Sequence, residues 1–137
     1  MTAARPTFAA IDFETADHGP DSACAVAVVR VERGEIVRRE RRLLKPPRRE
    51  FVFTGIHGIS WRDVQGAPTF GEAWPELTPL LDGIDFLAAH NAGFDRRVLN
   101  ACCYAAGWGS PEHRWVCTVR LARRLWGLAS NSLPNVC

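Results

Sequence analysis

The alternation of apolar and polar residues along the first third of the chain predicts three β-strands. Apolar residues dominate 8–13 and 23–32, whereas residues 36–44 are half polar, as expected of a strand with one exposed face. A turn-forming segment at 33–35 joins the second and third strands, so we expect these two to pair as an antiparallel hairpin. The pattern therefore predicts a three-strand antiparallel meander.

After residue 60 the apolar residues recur at a spacing of three to four, which predicts helices. Ser60 is placed to cap a short helical turn. Thr69 and Glu72 have the spacing of a capping box at the start of a longer helix. Because proline lacks an N–H and clashes within a helix, Pro75 and Pro79 predict a kink or a break there.

The rest of the chain alternates between strand and helix. The elements predicted are a buried strand at 86–89, a helix at 92–107, a brief strand at 115–117 and a helix that begins at 118. On the 92–107 helix we expect five residues to face inward: Phe94, Val98, Leu99, Cys102 and Cys103. A meander followed by alternating strands and helices predicts an α/β fold, a mixed sheet with helices packed on it.

Composition narrows the class of protein. The 137 residues suit one domain, and the 47% of hydrophobic residues suffice for a core. No apolar run approaches the roughly 18 residues of a membrane span, and Asp12 and Glu14 interrupt the N-terminal apolar run where a secretory signal would be uncharged. Five cysteines without a C-x-x-C pair argue against a disulfide framework or a zinc site. We therefore expect a single cytoplasmic domain that has no membrane segment.

Positive charge is concentrated between residues 30 and 50. This stretch holds nine cations against four glutamates, although the net charge of the chain is only +2. Sixteen of the seventeen cations are arginine, whose forked guanidinium suits phosphate. One interpretation is a contact face for a nucleic-acid backbone. The others are a charged edge hairpin that resists aggregation and a coding bias toward arginine.

Asp12 and Glu14 are the first chemically informative pair. Residues two apart in a strand face the same side, so both carboxylates project together while Phe13 points to the opposite face. Adjacent carboxylates repel unless a cation lies between them, and hard oxygen ligands suit Mg²⁺ or Mn²⁺. Because the pair ends an apolar run, two carboxylates that only face solvent are a less suitable explanation.

Asp95 is the third candidate carboxylate. It follows the strand predicted at 86–89 and falls in the first turn of the next helix, where the helix dipole also favours a negative charge. Ligands of open α/β sheets lie outside the carboxyl ends of adjacent parallel strands. If the first and fourth strands are neighbours, Asp12, Glu14 and Asp95 converge. Such a site can hold the one or two divalent ions of phosphodiester cleavage.

These segments resemble the DnaQ-like (DEDDh) exonuclease family, which includes the proofreading subunits of bacterial replicative polymerases. Residues 12–15 (DFET) match the family's first motif, D-x-E-T, and residues 90–95 (HNAGFD) match the second, H-N-A-x-F-D. Further segments similar to the family follow in its order and spacing: 56–59 (IHGI), 68–70 (PTF), 117–118 (CT) and 132–133 (SL).

The resemblance implies a ribonuclease H-like fold and a 3′→5′ exonuclease acting on single-stranded DNA or RNA by two-metal-ion hydrolysis. Asp12, Glu14 and Asp95 would be the catalytic residues and hold two Mg²⁺ or Mn²⁺ ions, and a DNA polymerase subunit would be a partner to consider. The residues implied to contact the substrate are Phe13, Thr15, His57, Asn91 and Phe94. For His57, local bonding within its own turn is an equally open interpretation, and His90 is expected to order its loop.

The chain departs from the family at its third motif, H-x-x-x-x-D, which would supply the general base and a fourth metal ligand. The helix start at 131–134 is followed by only three residues, and His113 lies in a turn away from that position. We therefore expect 1–137 to be an exonuclease domain truncated before this motif and inactive or weakly active, since a general base contributes about 10²–10⁴-fold. The alternative is a non-catalytic module with an exonuclease-like fold that binds nucleic acid or protein.

Overall fold

A computed structural model describes residues 4–109 and 111–125. Within them lies a five-stranded sheet made of β1 (Phe8–Thr15), β2 (Ala23–Glu32), β3 (Glu35–Leu43), β4 (Phe86–Ala89) and β5 (Trp115–Cys117). The strand order is β3-β2-β1-β4-β5. The first three strands pair antiparallel, and β4 and β5 extend the sheet with parallel pairing. This mixed sheet confirms the predicted fold class, including the adjacency of the first and fourth strands.

Helices flank the sheet. They are α1 (Thr54–His57), α2 (Trp61–Val64), α3 (Phe70–Leu77), a 3₁₀ helix (Thr78–Leu81), α4 (Ala92–Ala105) and α5 (Thr118–Leu125). In the described part of the chain, no helix is long and apolar enough to cross a membrane. The helix start predicted at 131–134 and the segment 132–133 lie outside the described residues.

The start and the end of α3 follow local signals. Thr69 and Glu72 form the predicted capping box, in which each side chain accepts a hydrogen bond from the other's backbone N–H. Pro75 lies inside the helix, whereas the change from α to 3₁₀ geometry comes just before Pro79. Pro79 has no N–H to donate to the carbonyl of Pro75, and the hydroxyl of Thr78 donates to that carbonyl instead, at 3.2 Å. The predicted break therefore lies at the second proline.

The residues of β1 alternate between the two faces of the sheet. One face packs against α3 and α4 and buries Ile11 and Phe13 in the main hydrophobic core. The opposite face, called the site face below, carries Ala10, Asp12 and Glu14. The two-residue period of the strand therefore separates the core side chains from the two carboxylates.

The buried stripe of α4 differs from the prediction at one position. Four of the five residues expected to face inward are buried, but Phe94 is 42% exposed, so its prediction as an inward residue is wrong. The buried position between Ala92 and Val98 belongs instead to Asp95, which is only 1% exposed. A charged residue at that position is not expected from hydrophobic periodicity, because an ionised carboxylate is costly to bury without partners.

Candidate active site at the carboxyl ends of β1 and β4

Asp12 and Glu14 lie on the site face near the end of β1. Asp12 is exposed and Glu14 is half-buried, while Phe13 between them is 2% exposed on the opposite face and packs beside Phe70. Phe13 therefore takes part in the site through its backbone, because its ring is enclosed in the core. Both carboxylates remain accessible from the site face.

Asp95 reaches the same edge because β4 is shorter than β1. The parallel pairing of β1 with β4 extends only to Ala10 and Ala88, so the later residues of β1 have no strand beside them on that edge. The backbone N–H of Phe13 donates instead to Oδ1 of Asp95, at 2.9 Å. This bond satisfies a buried backbone donor and holds the third carboxylate next to Asp12 and Glu14.

Asn91 makes the turn from β4 into α4 possible. It is the N-cap residue of α4 and adopts the left-handed backbone conformation, with φ 70°. Asparagine tolerates this conformation better than most residues other than glycine. The abrupt reversal brings Asp95 into the first turn of α4, directly behind the end of β1.

The three carboxylates act on one another electrostatically. The pKa of Asp95 is raised to about 7, chiefly by burial; the bond from Phe13 lowers it, and the negative charges of Asp12 and Glu14 raise it. Burial also raises the pKa of Glu14, with Asp12 adding to the effect. Burial also raises the pKa of Asp12, and the electrostatic interaction with His90 offsets part of this rise. The Asp12 side chain as a whole is nevertheless exposed. The surroundings of all three carboxyl groups therefore oppose their ionisation.

The donor set of this cluster fits a hard divalent cation. Among the described residues, no three His, Cys, Asp or Glu side chains are already close enough together to enclose a metal ion. The cluster nevertheless offers only carboxylate oxygens, the ligands that Mg²⁺ and Mn²⁺ prefer. A divalent ion would also relieve the repulsion that raises the pKa values of Glu14 and Asp95.

His57 joins the α1 segment to the end of β1. Its Nδ1 accepts a hydrogen bond from the backbone N–H of Ile59 at 3.0 Å, so Nε2 carries the proton and donates to the carbonyl of Thr15 at 2.9 Å. The ring therefore bonds within its own turn and also reaches a residue that the resemblance places in the substrate site. Both ring nitrogens are occupied by backbone groups, which makes His57 a support for Thr15.

His90 orders the loop after β4, as its position in the motif led us to expect. Its Nδ1 lies 2.8 Å from the hydroxyl of Thr118, which in turn donates to the carbonyl of Ala89 at 3.4 Å. Its Nε2 is buried and has no hydrogen-bond partner among the described residues. His90 and Asp12 line the same cavity of about 220 Å³ on the site face. The closeness of His90 to Asp12 is a feature that sequence reasoning missed.

The residues implied to contact substrate divide between two cavities. Thr15 and Phe94, the chain neighbours of Glu14 and Asp95, line one cavity of about 200 Å³ together with Asp17 and Arg97. Asn91 lines a separate cavity of about 430 Å³ between α4, β5 and α5, together with Arg96. The structure therefore brings Thr15 and Phe94 together and places Asn91 apart from them.

Comparison with known proteins identifies the family. The exonuclease family model (RNase_T) matches residues 9–137, nearly the whole chain. The chain belongs to the DnaQ-like exonuclease family. Members of this family are nucleases, and they generally use divalent metal ions.

Two curated relatives illustrate the range of the family. The chain is 31% identical over 133 residues to the PolC-type DNA polymerase III of Thermotoga maritima, a match that covers 95% of the chain and 10% of the polymerase. It is 37% identical over 105 residues to exodeoxyribonuclease 10 of Escherichia coli K12, which covers 74% of the chain and 40% of that enzyme. The chain therefore spans less than half the length of either relative.

Solved structures show the same fold. Exonuclease X in complex with 5′ overhanging duplex DNA is 31% identical, has a TM-score of 0.68, and is matched over 91% of this chain and 68% of that chain. The nuclease domain of 3′hExo, a DEDDh family member bound to rAMP, is 19% identical with a TM-score of 0.73, over 93% of this chain and 73% of that chain.

Proposed function

We propose that this chain is the catalytic domain of a 3′→5′ exonuclease that removes nucleotides from single-stranded DNA or RNA. The observation that carries the proposal is the hydrogen bond from the Phe13 amide to Asp95, because it holds a third carboxylate beside Asp12 and Glu14. Family membership supports the nuclease chemistry. The DNA complex of Exonuclease X supports a nucleic-acid substrate.

Asp12, Glu14 and Asp95 would hold two Mg²⁺ or Mn²⁺ ions. Such ions supply an activated water and stabilise the leaving 3′ oxygen. The buried hydrogen bond to Phe13 limits the freedom of Asp95, whereas Asp12 and Glu14 reach the ions from the open site face. His90, which lines the cavity beside Asp12 and bonds to Thr118, would order that side of the site.

The cavity lined by Thr15 and Phe94 would receive the terminal nucleotide. Thr15 follows Glu14 directly in the chain, and the 42% exposed ring of Phe94 offers a surface on which a base can stack. Arg97 in the same cavity offers a positive charge to the terminal phosphate. His57 would act indirectly, by holding the backbone of Thr15.

The mechanism is tested by Asp12→Ala in the protein encoded by the complete gene. We expect loss of at least about 100-fold in the release of nucleotides from a 5′-labelled single strand, since a catalytic metal is worth several kcal/mol. Asp82→Ala is the matched control, because Asp82 is exposed and bonds to Arg30 through its carbonyl. Activity that survives both chelation and Asp12→Ala would contradict the mechanism, and release from the 5′ end would contradict the direction.

The proposal has one consequence beyond these residues. A DNA polymerase subunit is the partner to test by co-elution in size-exclusion chromatography, because one relative is a PolC-type polymerase. The alternative of a non-catalytic module is not favoured by the family match.

A further inference from the structure

The two faces of β3 carry different arrangements of charge. On the face toward α3, Arg42 pairs with Glu40 at 2.8 Å and with Glu76 of α3 at 3.6 Å. Arg38 on the same face pairs with Glu40 at 3.3 Å. Two arginines and two glutamates therefore balance one another, and this face is a structural ion-pair network.

The site face of β3 carries Arg39 and Arg41 without any carboxylate of that strand. Both side chains are exposed, and neither belongs to an ion pair within residues 4–109 and 111–125. Arginine retains its charge throughout the physiological pH range. The site face therefore carries two positive charges that form no ion pair with a described carboxylate.

The strand register aligns these arginines with the candidate catalytic residues. Asp12 pairs with Ala27 and Ala27 pairs with Arg41, so the three residues form one row across the site face. Ala10, Val29 and Arg39 form the next row. Asp12 and Arg41 lie two strands apart in this row. Because neighbouring strands are about 4.8 Å apart, the backbones of these two residues are about 10 Å apart.

A small residue lies between Asp12 and Arg41. Ala27 lies between them in the row, is only half-buried, and lines the site-face cavity together with Asp12. The row beside it is covered, because Ala25 is buried in a cluster with Ile59 and Val64. Arg41 acts electrostatically across the Ala27 row: burial raises the pKa of Glu14, and Arg41 is one of the charges that lower it. The Ala27 row therefore offers a path for a strand that crosses from the carboxylates to β3.

We propose that Arg39 and Arg41 bind the sugar-phosphate backbone of the substrate strand, a few nucleotides inward from the 3′ end. This inference rests on the proposed function, because the carboxylates must hold that end. A stacked strand advances about 3.4 Å per nucleotide, so the distance of about 10 Å to β3 corresponds to about three nucleotides. The forked guanidinium matches a phosphate in shape and charge.

The proposal divides the basic stretch between two roles. Arg39 and Arg41 bind substrate, whereas Arg38 and Arg42 neutralise carboxylates within the protein. The chain thus offers a matched pair of double variants on one strand. Arg39→Gln with Arg41→Gln and Arg38→Gln with Arg42→Gln remove the same charge from opposite faces.

The experiment measures binding of a labelled single-stranded oligonucleotide of about ten nucleotides by fluorescence anisotropy over a salt series. All proteins carry Asp12→Asn, so the strand is not cut. Each phosphate contact contributes about 0.7 to the salt slope, so the Arg39/Arg41 variant should lose about 1.4 and bind about 25-fold more weakly at 0.1 M salt. The Arg38/Arg42 variant should keep both the slope and the affinity, and circular dichroism melting checks that both variants fold.

Three results would overturn the inference. In the first, the Arg39/Arg41 variant binds with unchanged slope and affinity. In the second, both double variants lose affinity equally. In the third, the loss is the same for a strand of two nucleotides, whose length of about 7 Å is too short to reach β3. The proposed function is judged separately, by the Asp12→Ala nuclease assay. If that assay fails while the Arg39/Arg41 effect persists, the chain binds strands without cutting them, and a chain that binds no single strand contradicts both proposals.

Discussion

The amide of Phe13 donates a 2.9 Å hydrogen bond to Oδ1 of Asp95, a residue 82 positions away in the chain. The bond forms where β1 extends beyond its pairing with β4, so Asp95 takes the position of a neighbouring strand. One carboxylate thereby satisfies a buried backbone donor and completes the cluster with Asp12 and Glu14. The side chain of Asp95 therefore has both a structural role and a proposed catalytic role.

Substitutions of Asp95 should separate its two roles. Asp95→Asn keeps an oxygen for the Phe13 amide but loses the charge, so we expect loss of nuclease activity with little loss of stability. Asp95→Ala leaves the buried amide without a partner and should also lower the free energy of unfolding by about 1–3 kcal/mol. Urea denaturation beside the nuclease assay measures both effects. Equal stability of the two variants would show that the bond to Phe13 contributes nothing.

Phe94→Ala should weaken substrate binding without destabilising the protein. The ring is 42% exposed, so little buried surface is lost, whereas loss of one stacked base costs about 1–3 kcal/mol. We expect a raised KM with an unchanged melting temperature. Tyr104→Ala is the control, since Tyr104 lies on the same helix and is 86% exposed at its far end. An equal change in KM for the two variants would refute the stacking role.

Asn91 tests whether backbone conformation or side-chain chemistry matters at the start of α4. Its φ of 70° is strained for alanine, so Asn91→Ala should lower the free energy of unfolding by about 1 kcal/mol, whereas Asn91→Gly should be close to neutral. Urea denaturation compares the two. If Asn91→Gly retains stability but loses activity, the side chain itself contacts the substrate. Alanine and glycine variants of equal stability would contradict the backbone role.

The Arg48 ion pairs should make stability depend on acid pH. Arg48 bonds Asp21 at 2.6 Å and Asp17 at 2.8 Å, and these hydrogen bonds lower the pKa of both carboxyl groups. A lowered pKa stabilises the fold above the unfolded-state pKa of about 4, and this contribution is lost as the pH falls below that value and through the lower folded-state pKa.

Arg48→Gln should therefore flatten the acid limb of the stability profile measured by urea denaturation at several pH values. The effect near neutral pH should be no more than about 1 kcal/mol, because the guanidinium is 45% exposed. Arg62→Gln is the control, since Arg62 is exposed and in no ion pair among the described residues. Identical acid limbs for the two variants would contradict the prediction.

Local signals determined much of the secondary structure. The spans predicted at 23–32, 86–89 and 115–117 coincide with β2, β4 and β5, and the capping box of Thr69 and Glu72 starts α3. Each of these signals acts over a few residues, through side-chain alternation or a capping hydrogen bond. The same locality placed Asp12 and Glu14 on one face of a strand.

Two departures show where local patterns mislead. Hydrophobic periodicity selected Phe94 for the interior of α4, whereas the buried position belongs to Asp95, whose carboxylate is compensated by a distant amide. Either proline could end α3. The α-helical geometry ends before Pro79, and the hydroxyl of Thr78 donates to the Pro75 carbonyl, which Pro79 cannot bond. In both cases the deciding hydrogen bond is absent from the pattern of apolar residues.

The sequence by itself determined the family motifs, the order of the elements and the pairing of Asp12 with Glu14 on one strand face. Only the tertiary structure decided that β1 lies beside β4, that Asp95 bonds to Phe13, and that Arg41 shares a row with Asp12. These relationships depend on strand register and on contacts between residues far apart in the chain. Local propensity does not encode such contacts, because they form only when the sheet and its helices pack together.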